Sequence, residues 1–545
     1  MNFLYRIFLS ARNFILIFGA AWLAAKLLEL FNHPTASSLT SIGGFLLALY
    51  FAWDALTYRG GVKSSVADVK ADAANLKKLA RGFDPERYIN LKKGIFLGLD
   101  GNRKPVYYPQ HVIDKNHIEI LGESGVGKSS LAGVLLSQLA AAGETVVVFD
   151  PKPDRMLPGT LARMGEKHGF PVTLTDLRPQ AGPQLNPFFG CRPDQIEELL
   201  QVALELGKTG DAGVDFYRGG DREATSWIAQ AAPEGADIQA LIANASGDER
   251  VTEKENLWRE LRQLGRVRAL HTAQGFDLAA ALSKPGVIYI MGSTTRLEIV
   301  AAQKLILQRV LQILEDRTDQ SRPACIFLDE LKYLLSPAAL RAAGTIRDRN
   351  AHLLFAHQSL GDLDDCPGLN PKAVRGAVWG NCGIKIVYKM LDAATARELE
   401  AITGQSSAET TSVTRSSQGE SVSRRAEKQA HMPSHIFTHL PKPESGEASV
   451  GVVIGRGPAS FLSTRWLRSG PTPAPVIVPE PSTEPQAPQP SPNAPIATLD
   501  DDQEQPAEHQ AEAEAVENKP AQTPEPTRTT ANDLSDLLRS HSRPR

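Results

Sequence analysis

The sequence predicts an α/β fold organised around a mostly parallel sheet, and three observations support this prediction. A strand at 117–121, a glycine-rich turn, an Ala/Leu-rich helical run at 130–142 and a strand at 145–149 follow one another as in a βαβ unit. The run TVVVF at 145–149 is apolar throughout, which is typical of a parallel strand buried on both faces. Further apolar runs extend the sheet to at least six strands; they lie at 285–290, 324–328, 352–356 and 384–388.

The glycine-rich turn has the sequence of a phosphate-binding loop. Its glycines let backbone N–H groups turn inward around a phosphate, Lys128 neutralises phosphate oxygens, and the Ser129 hydroxyl is predicted to bind Mg²⁺. The helix that begins here adds the positive end of its dipole. Because the turn follows a strand and precedes a helix, ATP and Mg²⁺ are the predicted cofactors. The predicted nucleotide-binding residues are Gly122, Glu123, Ser124, Gly125, Val126, Gly127, Lys128, Ser129 and Ser130.

Two carboxylates end the apolar strand at 324–328. Asp329 is predicted to hold Mg²⁺ together with Ser129, and Glu330 to act as the catalytic base that polarises the attacking water. A strand followed by Asp-Glu is a weak motif alone, and the alternative is a pair of solvated carboxylates. Its place downstream of a phosphate-binding loop in the same α/β pattern favours the catalytic interpretation.

The apolar run at 352–356 is followed by His-Gln-Ser, and it is preceded by two arginines. Gln358 is predicted to sense the γ-phosphate from the end of a neighbouring strand. Arg347, with Arg349 beside it, is a candidate arginine finger that reaches the nucleotide of an adjacent subunit. The alternative for the two arginines is a basic turn on the surface.

Changes in composition divide the chain into predicted domains. Residues 191–275 are charged and helical without a convincing strand, so we expect an all-α insertion between two parts of the nucleotide-binding domain. Those two parts are predicted at 111–190 and 276–470. Residues 61–110 are polar and charged at their start, and we expect them to form a juxtamembrane linker.

Residues 1–60 predict a transmembrane helical hairpin. The apolar runs 14–30 and 39–56 are each about long enough to cross a bilayer, and a short polar turn separates them. Basic residues flank the pair on both outer sides, which predicts a two-pass membrane protein with the bulk of the chain in the cytoplasm. The alternatives are a cleaved signal peptide, which the immediate second run disfavours, and a buried helical hairpin.

The segment 471–545 is predicted to be disordered. It contains 15 prolines and no Phe, Trp or Tyr, so it cannot bury enough apolar surface to offset the entropy of ordering. At its end, 533–539 places leucines at helical spacing after the potential cap Asn532. This short stripe is either a docking peptide or a frayed terminus.

The overall charge conceals an asymmetry between this segment and the rest. The net charge of the chain is −3, whereas residues 471–545 carry 13 acidic and 5 basic residues, which leaves +5 on the first 470 residues. A weakly basic body neither requires nor excludes nucleic acid, because affinity follows local basic patches. The four cysteines form no CxxC pair and are expected to be reduced thiols.

The order of these motifs resembles the type IV coupling proteins of the TraG/TraD kind. The resemblance covers roughly residues 1–465 and rests on GESGVGKSS, VVVFDPKPD, LNPFF, CIFLDE and IRDRNAHLLFAHQSL in that order. By this resemblance, Asp150 with Lys152 and Asn186 with Pro187 match family motifs. Arg347 matches an arginine before the Gln motif, although Asn350 stands where the family usually has glycine. Asn381 and 392–404 resemble the final motif block of the family, and the Ser-rich segment 406–423 follows it.

The resemblance implies a RecA-like motor that assembles as a ring-shaped homo-hexamer at the inner membrane. Such a motor is an ATPase that couples the relaxosome, a relaxase bound to single-stranded DNA with its accessory proteins, to the components of a type IV secretion channel. It energises the transfer of DNA or protein in conjugation. The helical insertion and the C-terminal segment are where such proteins contact substrates and accessory factors.

Three other functions stay open on sequence alone. One is a chromosome translocase of the FtsK kind, and one is a coupling protein dedicated to effector proteins. The third is a membrane scaffold whose phosphate-binding loop only switches conformation with nucleotide. Glu330 argues against the scaffold, because a pure switch does not need a carboxylate that polarises water.

Overall fold

The computed structural model describes residues 75–208, 210–416 and 419–476, together with Trp22, Leu23, Ala25 and Lys26. For 407–427 it describes the backbone alone. The strands of this part are β1 Ile95–Leu99, β2 Pro105–Tyr108, β3 His117–Leu121, β4 Thr145–Asp150, β5 Val172–Asp176, β6 Gly286–Met291, β7 Ala324–Leu328, β8 Ala351–His357, β9 Cys382–Val387, β10 Gln405–Ser416, β11 Gly419–Ala430, β12 Ser449–Gly455 and β13 Gly457–Thr464.

Eleven of these strands form one sheet in the order β2-β1-β13-β12-β9-β3-β8-β7-β4-β6-β5, and β10 pairs with β11 as a separate hairpin. The seven strands from β9 to β5 in this order run parallel. The four at the other side, β12, β13, β1 and β2, are joined antiparallel. The predicted α/β class with a large parallel sheet is therefore confirmed.

Helices connect the parallel strands and cover both faces of the sheet. The α-helices of the described part are α1 Gln110–Ile113, α2 Lys128–Ala141, α3 Leu157–His168, α4 Pro193–Ala203, α5 Ala212–Gln230, α6 Ile238–Ala245, α7 Glu249–Thr252, α8 Glu255–Leu264, α9 Leu278–Leu282, α10 Leu297–Asp316, α11 Pro337–Thr345, α12 Gly361–Asp364, α13 Pro371–Arg375, α14 Ala393–Ile402 and α15 Ser434–His439. Short 3₁₀ turns lie at Pro85–Arg87, Arg268–Leu270, Leu331–Tyr333 and Ile346–Arg349, and a π turn lies at Gly376–Gly380.

Strand β4 shows why the core has two sides. Val146 and Val148 join the apolar cluster that contains α2 and α3, whereas Val147 and Phe149 join the opposite cluster with α4 and α10. Side chains alternate along a strand, so a strand covered on both faces is apolar at every position. This arrangement leaves the loops at the carboxyl ends of the parallel strands free to carry polar groups.

The structure adds five strands to the sheet of six predicted ones, besides the separate hairpin of β10 and β11, and it corrects the predicted linker 61–110. Strands β1 and β2 lie inside that range and extend the sheet through β13, with Leu99 opposite Ser463. The prediction was wrong here because the partner of β1 lies more than 300 residues away in sequence. Strands β5, β12 and β13 were likewise not predicted.

Between β5 and β6 the described chain forms helices α4 to α9 and no strand. Asn186, in the Asn-Pro motif just before this region, donates its side-chain amide to the backbone oxygens of Ala236 and Ala273 at 3.2 and 2.9 Å. Its own side-chain oxygen accepts the N–H of Phe188 at 3.0 Å. Asn186 thus ties the entry of the helical region to its interior and to its exit.

Several expectations fall outside the described residues. The predicted hairpin 1–60 does so except for the four helical positions from Trp22 to Lys26, as do 61–74 of the linker and 477–545 of the C-terminal segment. In the part of the chain that the structure covers, no helix has both the length and the hydropathy needed to cross a bilayer. Residues 471–476 are extended, and the N–H of Val476 donates to the oxygen of Leu174 on β5 at 3.0 Å.

Candidate nucleotide-binding site

The glycine-rich loop connects β3 to α2 at the carboxyl edge of the parallel sheet. It lies between the ends of the two strands that flank β3, because Gly122 N–H donates to the oxygen of His357 at the end of β8 and Glu123 N–H donates to the oxygen of Lys389 after β9. Gly127 has φ of +120°, and a Cβ there would lie 2.1 Å from the Ser449 hydroxyl on β12. Only glycine satisfies both constraints at this position.

Lys128 is the first residue of α2 and its side chain is buried under the loop. Its ammonium donates to the backbone oxygens of Gly122 and Glu123 at 2.7 and 3.1 Å. Burial lowers the pKa of Lys128, while Asp329 and Glu330 act in the opposite direction. The predicted phosphate-binding lysine and the two predicted carboxylates are therefore close enough for their charges to affect one another.

Asp329 and Glu330 follow β7 directly. Burial raises the pKa of Asp329 to about 7, and the negative charges of Asp150 and Glu330 add to this effect. Glu330 has a left-handed backbone, with φ of +44° and ψ of +52°. Such a conformation is unfavourable for a residue with a Cβ, and it is common at sites where function fixes a side chain.

Gln358, the first residue after β8, contacts the carboxylate of Glu330. Its amide donates to both oxygens of Glu330, at 3.1 and 3.2 Å, and its backbone N–H donates to Asp362 at 2.8 Å. The sequence placed Gln358 near the γ-phosphate, and the structure places it against the candidate base. In this geometry Gln358 is a positioning residue for Glu330.

A buried ion network lies beneath this loop. Glu119 on β3 accepts from the His357 ring and from the Lys385 ammonium, at 2.8 and 2.7 Å. The other ring nitrogen of His357 lies 2.8 Å from the oxygen of Ser359, so the strand ends that carry Gly122 and Gln358 are joined. These partners lower the pKa of Glu119 despite its burial. This network could not be predicted, because each member is a single polar residue within an apolar strand.

The phosphate loop, Lys152 and both carboxylates line one cavity of about 900 Å³. Its opposite wall was not predicted, because it comes from the segment after β13 and from residues near 84 and 445. The residues of this wall include Asp84, Glu444, Glu447, Arg465, Trp466 and Arg468. Trp466 lies against α2, where a Cβ on Gly133 would be 4.0 Å from its ring.

Several contacts hold the post-β13 segment in place. Arg465 donates to the backbone oxygen of Phe83 at 2.8 Å, and Arg163 on α3 donates to the oxygen of Arg468 at 2.7 Å. The N–H of Gly470 donates to the oxygen of Gly159, also on α3, at 3.0 Å. These contacts fix the backbone of the segment and the guanidinium group of Arg465 beside the cavity that the phosphate loop lines.

Arg347 lies far from this cavity within the chain. It precedes β8, at the amino edge of the sheet, while the phosphate loop is at the carboxyl edge. Its side chain is exposed. Asn350, which stands where glycine is usual, has φ of +53°, and asparagine tolerates this left-handed conformation better than most residues. The turn that carries Arg347 therefore has a backbone conformation that glycine would also adopt.

Magnesium fits the residues of the carboxyl edge. Ser129 and Asp329 line the same cavity, and Asp329 is a partly buried carboxylate near the further negative charges of Asp150 and Glu330. Mg²⁺ takes oxygen ligands and is bound in nucleotide sites by one or two carboxylates and phosphate oxygens. The pair Ser129 and Asp329 supplies this donor set.

Two parts of the chain match models of known protein families. Residues 323–442 match the family model described as the TraM recognition site of TraD and TraG. Residues 99–154, which include the phosphate loop, match the central domain of the helicase HerA. Mobilization protein A of Escherichia coli is 30% identical over 273 residues, which cover 49% of this chain and 50% of that protein. The chain thus spans about half the length of this curated relative.

The resemblance to the type IV coupling proteins is confirmed. Solved structures show the same fold over a larger part of the chain. The plasmid coupling protein TrwB in complex with ADP and Mg²⁺ aligns with a TM-score of 0.50 and 15% identity, over 73% of this chain and 96% of that one. The trigonal form of the coupling protein TrwBdeltaN70 in complex with sulphate aligns with the same score and identity, over 73% and 95%. At this identity the coupling-protein structures inform the fold alone.

Proposed function

We propose that this chain is the coupling ATPase of a conjugative transfer system, linking a relaxase–DNA complex to a type IV secretion channel. One observation carries the proposal: Lys128, Asp329 and Glu330 line one cavity at the carboxyl edge of a RecA-like sheet. The match of 323–442 to the TraM recognition family supports the conjugative setting. The likeness to a coupling protein with bound ADP and Mg²⁺ supports the choice of cofactors.

The chemistry follows from the positions of the side chains. Lys128 and the loop N–H groups hold the β- and γ-phosphates, and Glu330, oriented by Gln358, accepts the proton of a water that attacks the γ-phosphorus. The bond to the β–γ bridging oxygen breaks, and ADP and phosphate are the products. Mg²⁺, held by Ser129 and Asp329, would supply positive charge to the phosphate oxygens.

The full-length protein in detergent tests the activity. We expect ATP hydrolysis that Glu330→Gln and Lys128→Ala both abolish, with ATP binding retained in Glu330→Gln. We also expect single-stranded DNA to raise the hydrolysis rate. Unchanged hydrolysis in either variant would contradict the assignment of the site. A rate that DNA does not change would favour a coupling protein for effector proteins.

We further propose that Arg347 completes the site of a neighbouring subunit in a homo-hexameric ring. Its exposed position at the opposite edge of the sheet from its own phosphate loop supports action between subunits. Mixing inactive Arg347→Ala with inactive Glu330→Gln should restore part of the ATPase rate, because a mixed ring contains some interfaces with both residues intact. No recovery, with mixed rings shown by cross-linking, would oppose this role.

Two parts of the proposal concern placement in the cell. We propose a two-pass inner-membrane anchor within residues 1–60, supported by its two apolar runs and flanking basic residues. We also propose that 323–442 carries a surface for a relaxosome accessory protein. Carbonate extraction of native membranes tests the first, since an anchored chain stays in the pellet. Pull-down of accessory protein from the native host by full-length chain tests the second.

A further inference from the structure

Three side chains converge at the amino edge of the parallel sheet, away from the nucleotide cavity. Asp114 lies in the turn between α1 and β3, Glu144 immediately precedes β4, and His352 is the second residue of β8. Each offers one potential ligand atom, and the three atoms lie within 4.8 Å of one another. His352 contacts Glu144 at 2.8 Å, and both side chains are completely buried. Cys325 on β7 pairs with His352 across the sheet.

This cluster leaves buried polar atoms without hydrogen-bond partners among the described residues. They are one oxygen of Asp114, one oxygen of Glu144 and the Nδ1 atom of His352. Each such atom costs about 1–3 kcal/mol when it is left unpaired. Two of these atoms, on Glu144 and His352, belong to side chains that are completely buried, and both residues offer ligand atoms to the same cluster.

The buried network of Glu119 in the same sheet shows how a cation completes a similar pair of side chains. There, too, a fully buried glutamate pairs with a fully buried histidine on β8, at the same 2.8 Å. The second oxygen of Glu119 accepts from the Lys385 ammonium, so a cation completes that network. At Glu144 the corresponding neighbour is Asp114, a second carboxyl group, and no lysine or arginine ion pair to Glu144 is present in the described structure.

We propose that Asp114, Glu144 and His352 bind a divalent transition-metal ion of the Zn²⁺ class. The imidazole nitrogen in the donor set selects this class over Ca²⁺ and Mg²⁺, which take oxygen ligands. The bound ion joins the turn before β3 to the starts of β4 and β8. Its role is structural, because the ion lies at the amino edge of the parallel strands, whereas the phosphate loop lies at their carboxyl edge. Asp114 is only half-buried, which leaves a route for the ion to enter.

Cobalt titration of the full-length protein, stripped with a chelator and free of nucleotide, tests this site. We expect one Co²⁺ per chain, with the intense visible bands of a low-coordinate site, and displacement by Zn²⁺. The midpoint of thermal unfolding should rise when either ion is added.

Asp114→Asn is the informative variant, because its side chain is half-buried and amide for carboxyl is nearly isosteric. It should lose at least tenfold in Co²⁺ affinity while ATP binding is unchanged. Asp348→Asn is the matched control, since Asp348 is an exposed aspartate at the same edge of the sheet, and it should bind Co²⁺ as the parent does. Equal binding in Asp114→Asn would show adventitious metal only. Absence of binding in the parent would show that the two carboxyl groups share a proton instead. Either result overturns the proposal.

Discussion

The side-chain amide of Gln358 donates to both carboxylate oxygens of Glu330, at 3.1 and 3.2 Å. The two residues follow neighbouring parallel strands, so their relative position is fixed by the sheet. The Glu330 carboxylate is thereby held in one orientation, as its proposed role of accepting a proton from water requires. Its left-handed backbone conformation is a second constraint on the same residue.

Gln358→Ala should reduce kcat by about 10- to 100-fold, because misplacing a catalytic group by about 1 Å has effects of this size. KM for ATP should change little, since Gln358 does not line the phosphate loop. Steady-state ATPase assays on the full-length protein measure both constants. Gln358→Glu should be at least as inactive, because a second carboxylate would face Glu330. A large rise in KM with unchanged kcat would instead indicate direct contact with nucleotide.

Trp466→Ala should weaken ATP binding by about tenfold, which corresponds to about 1.4 kcal/mol and lies within the range for stacking of a base on an aromatic ring. The reason is that Trp466 lines the nucleotide cavity across from the phosphate loop. Trp466→Phe should restore most of the affinity, because it keeps an aromatic face. Titration with a fluorescent ATP analogue measures the change. Equal affinity for all three proteins would remove Trp466 from the binding site.

Gly127→Ala should abolish nucleotide binding, because its Cβ would meet the Ser449 side chain at 2.1–2.4 Å and its φ is positive. Gly143→Ala is the matched control. Gly143 also has positive φ, +98°, but nothing lies within 4 Å of its Cβ position. It should lose about 1 kcal/mol of stability and retain nucleotide binding. If both variants bind ATP equally, the close approach of β12 does not shape the loop.

Asp329→Asn should stabilise the nucleotide-free protein more at pH 8 than at pH 5. Burial raises the pKa of Asp329 to about 7, above its value in the unfolded chain, so the folded state binds more protons between these values. Stability contributed by the carboxyl form is therefore present at low pH and lost as pH rises toward 7. The difference between the two pH values should be about 2 kcal/mol. Urea unfolding at both values, with Asp348→Asn as a control, measures it.

The parallel part of the sheet could be predicted because a strand that is buried on both faces is apolar at every position, and such a run is visible in the sequence. The strands at 145–149 and 324–328 are examples, and the carboxylates that follow 328 are where the pattern places them. The antiparallel part could not be predicted in the same way. Strand β1 is apolar, but its place in the sheet depends on β13, from which a long stretch of sequence separates it.

The residues of the candidate site also divide into those that a local sequence motif identifies and those whose position depends on the fold. Lys128 and Ser129 belong to one contiguous loop, and a local motif can identify them. The contact of Gln358 with Glu330 depends on which strands are neighbours, so the sequence identified both residues but not the bond between them. Trp466 has no local motif, because its position in the cavity arises only from the path of the chain after β13.

That path has a mechanical consequence. The chain passes from the cavity wall at Trp466 over α3 at Gly159, pairs with β5 at Val476, and then continues into the acidic, proline-rich segment. Within the described residues, a force that pulls the chain at Val476 is therefore borne first by the hydrogen bonds of Val476 and Gly470, before it reaches the cavity wall at Trp466.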